Sequence, residues 1–156
     1  MEKRKRPVKA GKGERWPMDS FLPYRISLLA TAFRRAVADL YRPVLGLGEN
    51  EWKVLVTVAH YGPLPSSEVG AHMTLDRMSV SRGLNRLVAS GLVSRVPHPA
   101  DQRVFDVALT TKGEAAFAPL ARQGLALERR ALRDFSDAEK KELLRLLGKL
   151  DMALRS

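Results

Sequence analysis

The chain contains no cysteine, which removes disulfides, thiolate metal sites and thiol-based peroxide sensing in one step. No segment reaches the roughly 18 consecutive apolar residues that a bilayer crossing needs. The charged N-terminus has no apolar stretch behind it, so the expectation is a cytoplasmic chain without a membrane partner. Histidine is scarce: His60, His72 and His98 are the whole set. None has a nucleophile or acid at the spacing of a triad, a dyad or a metal cluster. Catalytic residues, metal and cofactor are therefore read as none, and the chain as a non-enzyme. Aromatics make up only 6% of the residues, while the apolar share of 45% still supports a folded, helix-rich protein with a modest core. At 156 residues, one domain with an oligomerising appendage fits, and two enzymatic domains do not.

Acidic residues are the minority, 17 against 27 Lys and Arg, and the resulting charge of +10 favours polyanions such as nucleic acid. Residues 1–18 carry seven Lys/Arg against Glu2 and Glu14, +5 in all, with almost no apolar side chains. They read as a basic flexible arm, either a solvated tail or a contact to DNA phosphates. The segment 48–110 is neutral overall, but from Asp76 to Arg103 five Arg meet only two acids, Asp76 and Asp101. Segregation of charge, more than its sum, points to a nucleic-acid face there.

Apolar spacing gives the framework. Leu22, Ile26, Leu29, Phe33, Ala36, Leu40 and Val44 alternate steps of four and three, the seam of a long helix within residues 19–47. A second helix starts near Glu49, with Trp52, Leu55, Val56 and Ala59 on one face, and Gly62-Pro63-Leu64-Pro65 stops it. Two short helices follow. Ser66 can cap the first; after a turn at Thr74-Leu75, Asp76 can cap the second, which Gly91 ends. Leu92–Val96 and Val104–Leu109 then read as a β-hairpin, joined by a polar, Pro-rich connector over residues 97–103. Capping boxes at Thr111/Glu114 and Ser136/Glu139 open the C-terminal helices of residues 111–156, with a bend expected at Pro119 and Gly124. The last helix bears the stripe Leu143, Leu146, Leu147, Leu150 and Leu154.

Helix, helix, short helix, turn, helix, hairpin is the order of a winged helix-turn-helix, so the predicted class is mainly α with a small β-hairpin wing. The second short helix is the expected reader. Opposite its core stripe, Arg77, Arg82 and Arg86 can fork onto phosphate or guanine, Asn85 onto adenine, and Ser79 and Ser81 onto phosphate. On the hairpin, Arg103 is the candidate for insertion into a minor groove, with Asp101 fixing the tip and Arg95 clamping the base.

From Trp52 to Gly113 these residues resemble the reader module of the MarR family of bacterial regulators. The likeness is carried by Trp52 with Leu55, Ser79-Val80-Ser81-Arg82, Leu87 through Gly91-Leu92-Val93, Arg95, Asp101-Gln102-Arg103 and Leu109-Thr110-Thr111-Lys112-Gly113. It implies a homodimer with interlocking N- and C-terminal helices, DNA-facing positions at Ser79, Ser81, Arg82 and Arg103, and often a small-molecule pocket. Tyr24, Arg25, Phe33 and Trp52 are the candidates for that pocket, for an aromatic or phenolic effector, with ordinary packing as the other reading. Met78 departs from the family's pattern, standing where a polar residue is common.

A homodimer has a physical reason besides. A reader module of some sixty residues is too small to bury apolar seams at both chain ends, so a second copy must cover them. Two-fold symmetry then predicts double-stranded DNA bound at a pseudo-palindromic operator with half-sites about 10 bp apart. The alternative is a sequence-neutral architectural protein whose grip follows salt alone.

Overall fold

The computed structural model describes residues 17–73, 75–98 and 101–155, and over 101–104 the description is of the backbone. The basic arm, up to residue 16, lies outside the described residues, as do Thr74, Pro99 and Ala100. The rest falls into two units, one ending at Arg35 and one beginning at Ala36.

In the first unit, Pro17 O accepts from the N–H groups of Ser20 and Phe21 at 2.9 and 2.8 Å, and helix α1 (Leu22–Leu45) begins. Leu22, Leu29 and Phe33 of the expected seam are exposed there.

In the second unit, α1 runs on to Leu45 and closes on Gly46, whose φ of +61° is the left-handed turn that glycine makes without Cβ strain. Helix α2 (Glu49–Tyr61) sends Val54, Leu55 and Val58 into the core. Of the face expected from sequence, only Leu55 joins that core. Trp52 instead stacks on Tyr41 with ring centroids 4.4 Å apart and lies 5.9 Å from Phe117. Val56 and Ala59 line the groove between α2 and the later helix that carries Phe117.

The segment after α2 is more than a helix stop. Leu64–Pro65 forms strand β1, paired antiparallel with Val107 and Asp106 of a later strand. The pairing places β1 at a sheet edge, where a proline without an N–H is tolerated. Ser66 does not cap a helix. Its N–H donates to Phe105 O at 3.3 Å, continuing toward the sheet, and the next element is a single 3₁₀ turn, Val69–His72, with no side-chain cap.

Helix α3 (Arg77–Ala89) is capped by Asp76 as expected and buries Val80, Gly83, Leu84 and Leu87. It ends on Gly91 at φ +70°. The Gly91 N–H donates to Val88 O at 2.9 Å and the Leu92 N–H to Leu87 O at 3.0 Å, the paired bonds of a Schellman turn. Strands β2 (Val93–His98) and β3 (Asp101–Leu109) form the hairpin, and the sheet order is β1-β3-β2. The connector expected over 97–103 is mostly strand. Pro97 pairs with Phe105, and after a register shift His98 pairs with Asp101. Because β2 is the other edge strand, Pro97 costs the ladder little.

Helix α4 (Thr111–Ala131) opens one residue earlier than the expected capping box. Thr110 is the N-cap, its Oγ1 accepting from the Gly113 N–H at 2.9 Å while its hydroxyl donates to Gly91 O at 2.6 Å. Lys112 Nζ donates to Ser90 O at 2.8 Å. The helix is continuous through Pro119 and Gly124. Helix α5 (Asp137–Arg155) begins at the expected box, with Ser136 N–H donating to Glu139 Oε2 at 2.8 Å and Glu139 N–H to Ser136 Oγ at 3.3 Å. None of its residues is buried. Among the described residues no helix is long and apolar enough to cross a membrane.

Leu109-Thr110-Thr111-Lys112-Gly113 is thus a joint, binding the end of α3 to the base of the hairpin and the start of α4. A Cβ on Gly113 would collide with the Leu92 carbonyl, which is fixed backbone. Gly113→Ala is expected to lower stability by about 1–3 kcal/mol, read as a fall in thermal midpoint. An unchanged midpoint would show that α4 can shift away from Leu92.

Candidate nucleic-acid interface

The interface is built on α3, which two features hold in place. At its start, Asp76 Oδ1 accepts from the Ser79 N–H at 2.8 Å and Oδ2 from the Ser79 hydroxyl at 2.7 Å. The hydroxyl bond first, then the backbone bond, keeps the Asp76 carboxyl below its ordinary value of 3.8. A lowered carboxyl supports the helix above that ordinary value and stops doing so as the pH falls through the lowered one. The cap is therefore intact at neutral pH. Along its length, α3 lies close to α2 at Gly83, where a Cβ would come 3.0 Å from Val54 Cγ2.

With one face buried, Arg77, Met78, Ser81, Arg82, Asn85 and Arg86 stand exposed, while Ser79 is half-buried. Their partners differ. Arg86 reaches away from the outer face: Nη2 donates to Gly46 O at 3.2 Å and Nη1 lies 3.6 Å from Glu51 Oε1. It holds the junction of α1 and α2. Asn85 Oδ1 accepts from Arg95 Nη2 at 2.6 Å, so the base of the hairpin is tied to the outer face of α3. Ser79 spends its proton on Asp76 and keeps acceptor capacity only. Among the described residues, Arg77 and Arg82 have no ion-pair partner.

A groove of about 550 Å³ runs between the 3₁₀ turn, α3 and β2, bordered by Arg77, Ser81 and Arg95 together with Ser66 and Ser67. It unites three side chains expected from sequence with two that sequence reading missed as site residues. Nothing local marks those two serines, because they follow a strand of only two residues. Asp101 and Arg103 belong to β3 by their backbone, and their side chains lie outside the description.

The effector candidates divide between the units. Tyr24, Arg25 and Phe33 are exposed on α1 in the first. Trp52, in the second, borders an apolar groove of about 420 Å³ with Val56, Phe117, Leu120 and Leu125. Among the described residues no group of three or more His, Asp or Glu is placed to hold a metal ion.

The sequence pattern of the MarR family matches residues 47–105, from the end of α1 to β3. The chain is 32% identical over 134 residues to the HTH-type transcriptional regulator PecS of Dickeya dadantii (strain 3937), covering 83% of this chain and 78% of that protein. It is 30% identical over 95 residues to the uncharacterized HTH-type transcriptional regulator YwoH of Bacillus subtilis (strain 168), covering 61% and 69%. Among solved structures, wild-type MarR from E. coli in its apo form is 27% identical, with a TM-score of 0.67 over 88% of this chain and 98% of that one. A MarR/EmrR family regulator from Acinetobacter sp. ADP1 shares the fold at 23% identity, with a TM-score of 0.78 over 90% and 99%.

The different partners of the arginines separate scaffold from surface. Arg86→Ala is expected to lower stability by about 0.5–1 kcal/mol, a half-exposed charged bond being worth no more, and Arg82→Ala to change it by less than about 0.5 kcal/mol. Thermal unfolding of the two variants checks this, and equal losses would contradict the assignment.

Proposed function

The chain belongs to the MarR family of transcriptional regulators, and from that premise we propose that it acts as a homodimer, reading a pseudo-palindromic operator as a ligand-responsive repressor. One observation carries the reading. The exposed face of α3 presents Arg77, Ser81 and Arg82 opposite its buried stripe, and the Arg95–Asn85 bond sets the wing beside it. A helix carrying such side chains fits a major groove about 12 Å wide, where arginine can take guanine O6 and N7 together. Arg77, Ser81, Arg82 and Arg95 are the residues assigned to this contact, with Arg103 assigned to the adjacent minor groove.

Apolar exposure supports the homodimer. Leu144 and Leu154 of α5 are 70% and 79% exposed, and Leu146, Leu147 and Met152 on the same helix are exposed as well. Each such side chain is worth roughly 1.5–3 kcal/mol when fully buried, and a second copy of the same seams supplies the cover. Sedimentation equilibrium should therefore give twice the chain mass of 17.4 kDa. A species at the single-chain mass would contradict the pairing. An effector of aromatic or phenolic class is assigned to the groove beside Trp52, on the ground that its lining of Val56, Phe117, Leu120 and Leu125 is mostly apolar.

The decisive experiment is competition. A duplex selected from a random pool by the full-length chain is challenged with unrelated duplex at fixed salt. Preference should be roughly 10³-fold or more, and Arg82→Ala should lose about 1–3 kcal/mol with relaxed choice at one base pair per half-site. Equal affinity for every duplex would establish the sequence-neutral alternative instead.

A further inference from the structure

Met78 is the one large apolar side chain exposed on α3, at 67%. It occupies the second position of the helix, four residues before Arg82 and seven before Asn85, spacings that stack side chains on one helical face. Val80, Leu84 and Leu87 occupy the opposite, buried side. Met73, just before the helix, packs against the core, whereas Met78 is absent from the residues that do so. The exposed residues beside it in the chain or at helical spacing from it are Arg77, Ser81 and Arg82, and α3 exposes no second large apolar side chain of the kind that lines α5.

Core packing thus gives no reason for a methionine here, and the apolar seam of α5 assigned to the dimer lies on another helix. A duplex does. The first turn of a reader helix is the part that reaches base edges, and the only apolar group on the floor of the major groove is the 5-methyl of thymine. An unbranched, adaptable thioether chain is suited to such a contact. We propose that Met78 determines specificity by packing on the 5-methyl group of one thymine in each half-site, a role that rests on the DNA-reading function proposed above.

The test uses the full-length chain and the duplex it selects from a random pool. Each thymine is replaced in turn by deoxyuridine, which removes the methyl group and leaves every hydrogen-bonding edge unchanged. At one symmetric pair of positions, the replacement should weaken binding about fourfold per half-site and about fifteenfold for both, the worth of one buried carbon each. Met78→Ala should weaken binding to the thymine duplex by a similar factor and bind the two duplexes equally. Met78→Leu, which keeps an apolar chain, should retain the discrimination. Wild-type indifference to deoxyuridine at every position, or discrimination that survives in Met78→Ala, overturns the proposal while leaving the DNA-reading function standing. A selection that yields no preferred sequence overturns both.

Discussion

The placement of the hairpin against α3 depends first on one tight joint, where Gly91-Leu92 meets Thr110 and Gly113, to which the Arg95–Asn85 bond adds a second tie. The left-handed Gly91 turns the chain out of α3, and the Thr110 hydroxyl bridges the Gly91 carbonyl to the Gly113 N–H. Lys112 returns to Ser90 O, and the missing Cβ of Gly113 lets α4 start directly against the Leu92 carbonyl. Three elements are thereby fixed from one point. A duplex presents its grooves at set spacings, so a helix and a hairpin that meet it together must be held in register before contact. Otherwise the ordering would be charged against affinity.

Beyond the joint, polar side chains on α3 divide into those that hold the helix and those that face outward. Asp76 and Ser79 close its first turn, Arg86 grips the α1–α2 junction, and Asn85 takes Arg95 from the wing. Arg77, Ser81 and Arg82 are left at the surface. A helix face that is polar in sequence except at Met78 therefore carries two kinds of work, and the difference lies in partners far along the chain.

That distance decides what could be read from sequence. Asp76, Gly91 and the Ser136–Glu139 box were legible because each signal and its response lie within about four residues. The buried and exposed faces of α3 were legible from helical periodicity for the same reason. Strand β1 was not, since its two residues pair with positions more than forty residues later. Thr110 in place of Thr111 as the α4 cap is set by Gly91, 19 residues away, and Arg86 is turned by Gly46, 40 residues away. The hairpin ran longer than expected because Pro97 sits on an edge strand, where sequence composition alone reads it as a turn.

Methylation interference on the selected duplex tests most directly whether helix and wing act together. Methyl groups at guanine N7 probe the major groove and those at adenine N3 the minor groove, so each element reports separately. The rigid joint predicts N7 interference in two clusters about 10 bp apart, each flanked on its outer side by N3 interference. Interference spread evenly along the duplex, or confined to the minor groove, would contradict it.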